Sequence, residues 1–269
     1  MTAAQRFRAA WYRGYVRIVG QNREPLWPVW NIGFPVLATA AFALVYRGLG
    51  APREYEGLVL LGGALTAFWT NMIWSMGQEM YWERESGLLP LLLITPVGLP
   101  TILAGMAVGS LLGTSLRSGA TILIAWLLFQ VNLNWGGIPA AFGITFIGLI
   151  AVYGLGMCLS TIFLLSGRKA WNVNFALQEP IYLATGTYFP ARFLGPLAGV
   201  AGAFIPLTFA LDATRQILFP GIFPILLPYP TEITILAAQA VIFPYLGVRA
   251  MKWVEQRARA TGGLISRWE

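Results

Sequence analysis

The chain is 269 residues long, 57% hydrophobic and 11% charged, with a formal net charge of +7. That is too little polar surface to coat a soluble globule of this size, so the composition reads as an all-α integral membrane protein. His is absent and Cys158 stands alone, which removes the usual general base, the commonest metal ligand and any disulfide or thiolate metal site within the chain.

Residues 4–22 predict a helix lying in the membrane interface. At about 100° per residue Phe7, Trp11, Tyr15 and Ile18 share one face, while Arg6, Arg13 and Arg17 gather on another. The first apolar run arrives late and at full length, so the start does not read as a cleavable signal peptide. This gives three regions: an amphipathic interfacial segment (1–26), a transmembrane domain (27–250) and a basic tail (251–269).

Crossing about 30 Å of hydrocarbon takes roughly 20 apolar residues. Residues 28–46 meet that need first and 57–78 second. A charged interruption follows at 79–96, carrying Glu79, Glu83, Arg84 and Glu85. Residues 99–131 are too long for one span and too short for two with a turn, which predicts a lead-in along the surface and a third span over 108–129. Residues 138–165 form the fourth span, 171–189 the fifth, interrupted by Glu179-Pro180, and 233–248 the sixth. Between the last two, 193–230 is apolar but broken by Pro196, Pro206, Pro220, Pro224 and Pro228.

Charge sets the orientation. Thirteen of the eighteen basic residues fall on one side of this arrangement: Arg6, Arg8, Arg13, Arg17 and Arg23 before the first span, Arg84, then Arg168 and Lys169, and finally Arg249, Lys252, Arg257, Arg259 and Arg267. Cytoplasmic flanks collect Lys and Arg, so both termini belong inside and the number of crossings is even. Six crossings, with a re-entrant pair of short outer helices at 193–230, satisfy this; such backbone is tolerated at membrane depth only when packed within protein. Basic residues scattered over membrane flanks form no single patch, which argues against a nucleic-acid partner.

A phosphate-binding loop would end in Lys-Ser or Lys-Thr, yet Lys169 and Lys252 are followed by Ala and Trp. If transport is ATP-driven, the ATPase is another polypeptide.

Three segments carry a resemblance. Glu83-x-Glu85-x-Gly87-x-Leu89-x-x-Leu92-x-x-Thr95-Pro96 resembles the cytoplasmic motif of the ABC type-2 transporter permeases, membrane subunits of bacterial exporters of drugs, polysaccharides and lipids. Ala184-Thr-Gly186-Thr-Tyr-Phe189-Pro190 resembles the family's Gly-x-x-Phe-Pro stretch before its outer re-entrant helices. Pro206-Leu-Thr-Phe-Ala-Leu-Asp212-Ala-x-Arg215 is similar to its Pro-Leu-Thr-Tyr-x-x-Asp-x-x-Arg. Leu88 and Pro90 depart from it, standing where Thr and Glu are common.

The resemblance implies a multi-pass permease of the bacterial plasma membrane, paired with a second permease chain, the same or different, and with ABC ATPase subunits that hold ATP and Mg; this chain needs no cofactor or metal. It implies that Glu79, Glu83, Arg84, Glu85, Gly87, Leu89 and Leu92 form a cytoplasmic coupling helix pressed into a cleft of the ATPase. Gly186, Phe189, Pro190, Pro206, Asp212 and Arg215 then belong to the re-entrant region. Asp212 and Arg215, three apart, share a helix face and can bond each other or cap the turn. Arg117 and Glu179 sit at similar depth in the third and fifth spans and either pair or line a wet path. Trp69, Trp74, Trp126, Trp135, Tyr182, Tyr188 and Phe189 either line a route for bulky cargo or form the interfacial belt. The expected cargo is an amphipathic small molecule, drug or lipid; a polysaccharide or glycolipid is the alternative, and a lipid-acting membrane enzyme or a passive channel are the readings from other classes.

Overall fold

The computed structural model describes residues 3–23, 26–77, 79–166 and 170–261, and among these every regular element is helical. Arg168, Lys169 and Arg267 lie outside the described residues. α1 (Ala3–Asn22) precedes α2 (Leu26–Gly48) and α3 (Glu54–Asn71), and α3 runs on into a π-helical turn, Met72–Gly77. Two short helices follow, α4 (Glu79–Glu85) and α5 (Leu89–Ile94), before α6 (Leu99–Phe129), α7 (Ile138–Ser166) and α8 (Ala170–Ala184). α9 (Pro196–Phe204), α10 (Pro206–Leu218) and α11 (Tyr229–Thr261) complete the chain.

Among the described residues five helices are long and apolar enough to cross a bilayer, Val29–Gly48, Glu54–Trp74, Leu99–Phe129, Trp135–Leu165 and Tyr229–Ala260, and the bent pair Pro196–Phe204 and Pro206–Leu218 makes a sixth if it is one span. The expected fifth span, 171–189, is realised only as the 15 residues of α8, about 22 Å of helix. It stops because Thr185 to Thr187 form a turn in which Gly186 has φ 66°, a region glycine enters without steric cost. Residues 99–129 are one unbroken helix of 31 residues, about 46 Å long, and not a surface lead-in followed by a span. α6 is therefore longer than the roughly 30 Å of a hydrocarbon layer. α9 and α10 meet at a 115° bend, because Pro206 cannot donate to the preceding helix and opens a new one at its first turn.

Glycines set the closest helix crossings. A Cβ on Gly105 would stand 2.2 Å from the carbonyl oxygen of Ala10, and one on Gly109 2.4 Å from that of Gly14. α1 consequently lies with its backbone against the first half of α6, the contact that small residues permit. Its exposed side keeps Phe7, Trp11 and Tyr15 of the predicted apolar face, with Tyr12 beside them, while Ile18 is half-buried. α7 and α11 cross in the same manner, with Gly154 against Pro244 and Gly247 against Met157. The π-turn packs Met72 on Gly156, and the Ser160 hydroxyl donates to the carbonyl of Met76 at 2.5 Å.

Candidate functional site

At the end of the bundle that carries α1, the chain turns through an elbow formed by α4 and α5. Leu88 N–H donates to Glu83 O (2.9 Å) and Gly87 N–H to Arg84 O (3.1 Å), a Schellman closure of α4. Gly87, at φ 75°, occupies the left-handed position that this closure needs. Pro90 then falls in the first turn of α5, where no N–H is required of it. The closure at Gly87 thus divides the expected single helix into two, and Pro90 fits the start of the second.

Burial divides the residues singled out for docking. Glu83 is 6% exposed and ion-paired with Arg13 of α1, and Arg84 is 5% exposed and donates to the carbonyl of Leu164 in α7 at 3.2 Å. Burial pulls the Arg84 pKa below its ordinary value, with the neighbouring Glu85 and Tyr81 opposing the shift. Leu89 is wholly enclosed in the core with Leu93 and Leu99, and Leu92 packs on its edge. Glu83, Arg84 and Leu89 therefore fasten the elbow to the bundle and do not form its outer surface. Trp82, Glu85, Ser86, Gly87, Leu88, Leu91 and Ile94 form that surface. Glu79 opens α4, but its side chain lies outside the described residues.

A second fastening was absent from the sequence reading. Glu255 of α11 accepts the N–H of Leu99 at 3.0 Å, capping α6 with a carboxylate where the helix dipole favours one, and holds Arg259 at 2.7 Å. Met251, Val254 and Ala258 are buried in the same core as Leu89 and Leu99. Residues 251–261 accordingly continue α11. An acidic residue among the basic ones, with apolar residues at helical spacing, was the available signal.

At the opposite end, Asp212 and Arg215 share a face of α10 as their spacing predicts, yet among the described residues no bond joins them. Arg215 donates to the carbonyls of Gly186 (2.8 Å), Thr187 (2.8 Å) and Leu58 (3.1 Å), clamping the turn after α8 onto α3. Gly62 lets that turn approach, since a Cβ there would lie 1.9 Å from Thr187 O. Pro190 and Pro206 are buried beside this junction and Phe189 is half-buried. Asp212 accepts Leu226 N–H (2.9 Å) and the Gln216 amide (3.1 Å), while Glu232 accepts Leu227 N–H (3.2 Å) and the same amide (2.9 Å). Gln239 donates to Gly202 O (2.7 Å) and Ala203 O (3.0 Å), closing the end of α9. Glu232 and Gln239 carry little sequence signal because they sit inside or just before an apolar run, and the carbonyls that Gln239 bonds are 36 and 37 residues away.

The ABC-2 type transporter family model matches residues 5–219, a stretch that holds both the elbow and the Asp212–Arg215 junction. The chain belongs to the ABC-2 type transporter family. No curated protein matches it.

In this ABC-2 permease the two charges expected at similar depth part. Arg117 is buried in α6, Glu179 is exposed on α8, and no described ion pair joins them. The aromatic residues divide too. Trp69 is enclosed at 1% exposure, whereas Trp135 is exposed and meets Trp126 edge to face. Tyr182 bonds the Thr70 hydroxyl, Trp74 N–H donates to Gln178 at 3.2 Å, and the Tyr188 ring stacks on Phe42 at 3.9 Å. The ends of the bundle also differ in their ion pairs: Arg47 forks both oxygens of Glu56 at 2.8 and 2.9 Å beside the α2–α3 turn.

Proposed function

We propose that this permease is the membrane subunit of an ATP-driven exporter of amphipathic small molecules, drugs or lipids, working as a pair of permease chains with separate ATPase chains. The observation that carries the reading is the elbow: two short helices tied to α1, α7 and α6 from within, with Trp82, Glu85, Leu88, Leu91 and Ile94 left exposed. A tied elbow moves with the bundle, so a push received on its outer face becomes rigid-body displacement of α6 and α7. ATP binding that closes the ATPase pair supplies such a push, and the shift in population between inward- and outward-open bundles moves the cargo.

The excess of Lys and Arg at the elbow end supports a cytoplasmic elbow and cytoplasmic termini. On that orientation the 115° pair α9–α10 is the outer re-entrant element, with Arg215 and Gln239 supplying the internal partners that backbone at membrane depth requires. A lipid-acting enzyme is less well supported: Asp212 and Glu232 come together, but both are spent on backbone N–H groups.

Co-expression of the tagged permease with each candidate ATPase, followed by affinity purification and vesicle transport assays, tests the proposal. Recovery of a complex that exports only with ATP is expected; a permease that binds none of the ATPases and transports without ATP would falsify it.

A further inference from the structure

α11 outlasts the apolar run that it carries. Between Glu232 and Arg249 it holds no charge, and the helix from Tyr229 to Arg249 rises about 30 Å, the thickness of a hydrocarbon layer. Arg249 and the residues after it therefore stand at the membrane–water boundary, at the end of the bundle that carries the elbow.

From there the helix has two sides. Met251, Val254 and Ala258 are buried in the core beneath the elbow, and Glu255 is spent on Leu99 and Arg259. On the other side Tyr245, Arg249, Trp253 and Arg257 follow one another at four-residue steps, all exposed, with Lys252 exposed beside them. They touch in pairs. Arg249 donates to the Tyr245 hydroxyl at 2.9 Å with its guanidinium carbon 5.5 Å from the ring centre, and the guanidinium carbon of Arg257 stands 5.2 Å from the centre of the Trp253 ring. Arg13, Arg47 and Arg259 are spent instead on the carboxylates of Glu83, Glu56 and Glu255. In residues 249–261 Glu255 is the only acid, and it faces the core. The outer side of this stretch is thus positive and ringed.

Aromatic side chains at the boundary lie at headgroup level, and clustered Lys and Arg there attract anionic lipid. A positive flank that only orients the chain needs neither a shared face nor rings laid against its guanidinium groups. We propose that the Tyr245–Arg257 face of α11 binds the headgroup of an anionic phospholipid, with Arg249, Lys252 and Arg257 supplying the charge and Trp253 anchoring at the glycerol level. That the lipid comes from the inner leaflet rests on the cytoplasmic placement of the elbow.

The test titrates the purified full-length permease in detergent with phosphatidylglycerol or phosphatidylcholine of the same acyl chains and counts retained lipid by native mass spectrometry. Saturable retention of phosphatidylglycerol above phosphatidylcholine is expected. It should weaken about fivefold in Arg249→Gln, further in Arg249→Gln with Arg257→Gln, and about threefold in Trp253→Leu, where charge is unchanged. Arg8→Gln, which removes an exposed charge of α1 at the same end, should retain the lipid as the wild type does. Equal retention of the two lipids, a monodisperse double variant that holds phosphatidylglycerol as the wild type does, or an equal loss in Arg8→Gln would each overturn the proposal. The comparison of the two lipids on the wild type stands even if a variant fails to fold. Since neither ATP nor an ATPase enters the assay, lipid binding and ATP-driven export fail independently.

Discussion

The elbow and the Asp212–Arg215 junction use the same kinds of residue for opposite ends. At the junction the charged side chains turn inward: Arg215 onto three carbonyls, Asp212 and Glu232 onto the N–H groups of Leu226 and Leu227 and onto the Gln216 amide they share. At the elbow, Glu83 and Arg84 are spent inward, but Glu85, Leu88, Leu91 and Ile94 are left exposed on the other face. A charged motif in an oily chain is thus two things at once, an anchor and a surface, and burial tells them apart. The junction is all anchor, so damage there should abolish the fold, whereas damage to the outer face of the elbow should spare it.

The largest effect belongs to Arg215. Arg215→Met strands three carbonyls, each costing about 1–3 kcal/mol when buried without a donor, enough in sum to exhaust the stability of an ordinary domain. Loss of monodisperse protein after extraction is the expected outcome. Arg215→Lys should fare little better, because an ammonium cannot reproduce the planar fork; a Lys variant with unchanged thermal unfolding would show that the junction is not the anchor described.

Next comes the anchor side of the elbow. Glu83→Ala or Arg13→Ala should cost about 2 kcal/mol, the worth of a charge-assisted bond. The double variant Arg13→Ala with Glu83→Ala should cost less than the two single losses together, with a coupling on the order of 1–2 kcal/mol. Thermal unfolding of the four proteins closes the cycle, and additive losses would deny the pair any role. A similar loss, about 1–3 kcal/mol from overpacking, is expected for Gly105→Ala, whose Cβ meets Ala10, while Gly119→Ala in the same helix meets nothing within 4 Å and should be neutral or slightly stabilising. Protease sensitivity of α1 should rise in the first variant only.

What was legible in the sequence follows the same division. The spans could be read because hydrocarbon demands long apolar runs, and the motif at 83–96 because charges in an oily chain are conspicuous. The side to which each charge turns could not, since a seven-residue helix has its faces assigned by partners elsewhere: Leu164 is 80 residues from Arg84, and Glu255 is 156 from the Leu99 it caps. The unbroken α6 was missed for a related reason. A run of 31 residues looks excessive for one crossing until α1 is seen lying along its first half. α8 erred in the other direction, as apolar residues continue past Ala184 while the backbone turns at Gly186 to meet Arg215.

The smallest effect on the fold is expected where the functional effect should be clearest. Glu85→Ala and Leu91→Asp alter side chains on the free face of the elbow, and surface changes of this sort shift stability by about 0.5 kcal/mol or less. A docking surface responds otherwise: a buried apolar anchor lost to a carboxylate at an interface costs at least about 2 kcal/mol of binding, which is more than tenfold in affinity. Leu91→Asp should therefore unfold at the wild-type temperature and yet lose its ATPase in affinity purification. Glu85→Ala should weaken the complex less, and more visibly at low salt, where a rim charge counts most. If both variants retain the ATPase while Glu83→Ala loses it without loss of stability, the two faces have been assigned the wrong way round, and the motif docks through the residues here described as anchors.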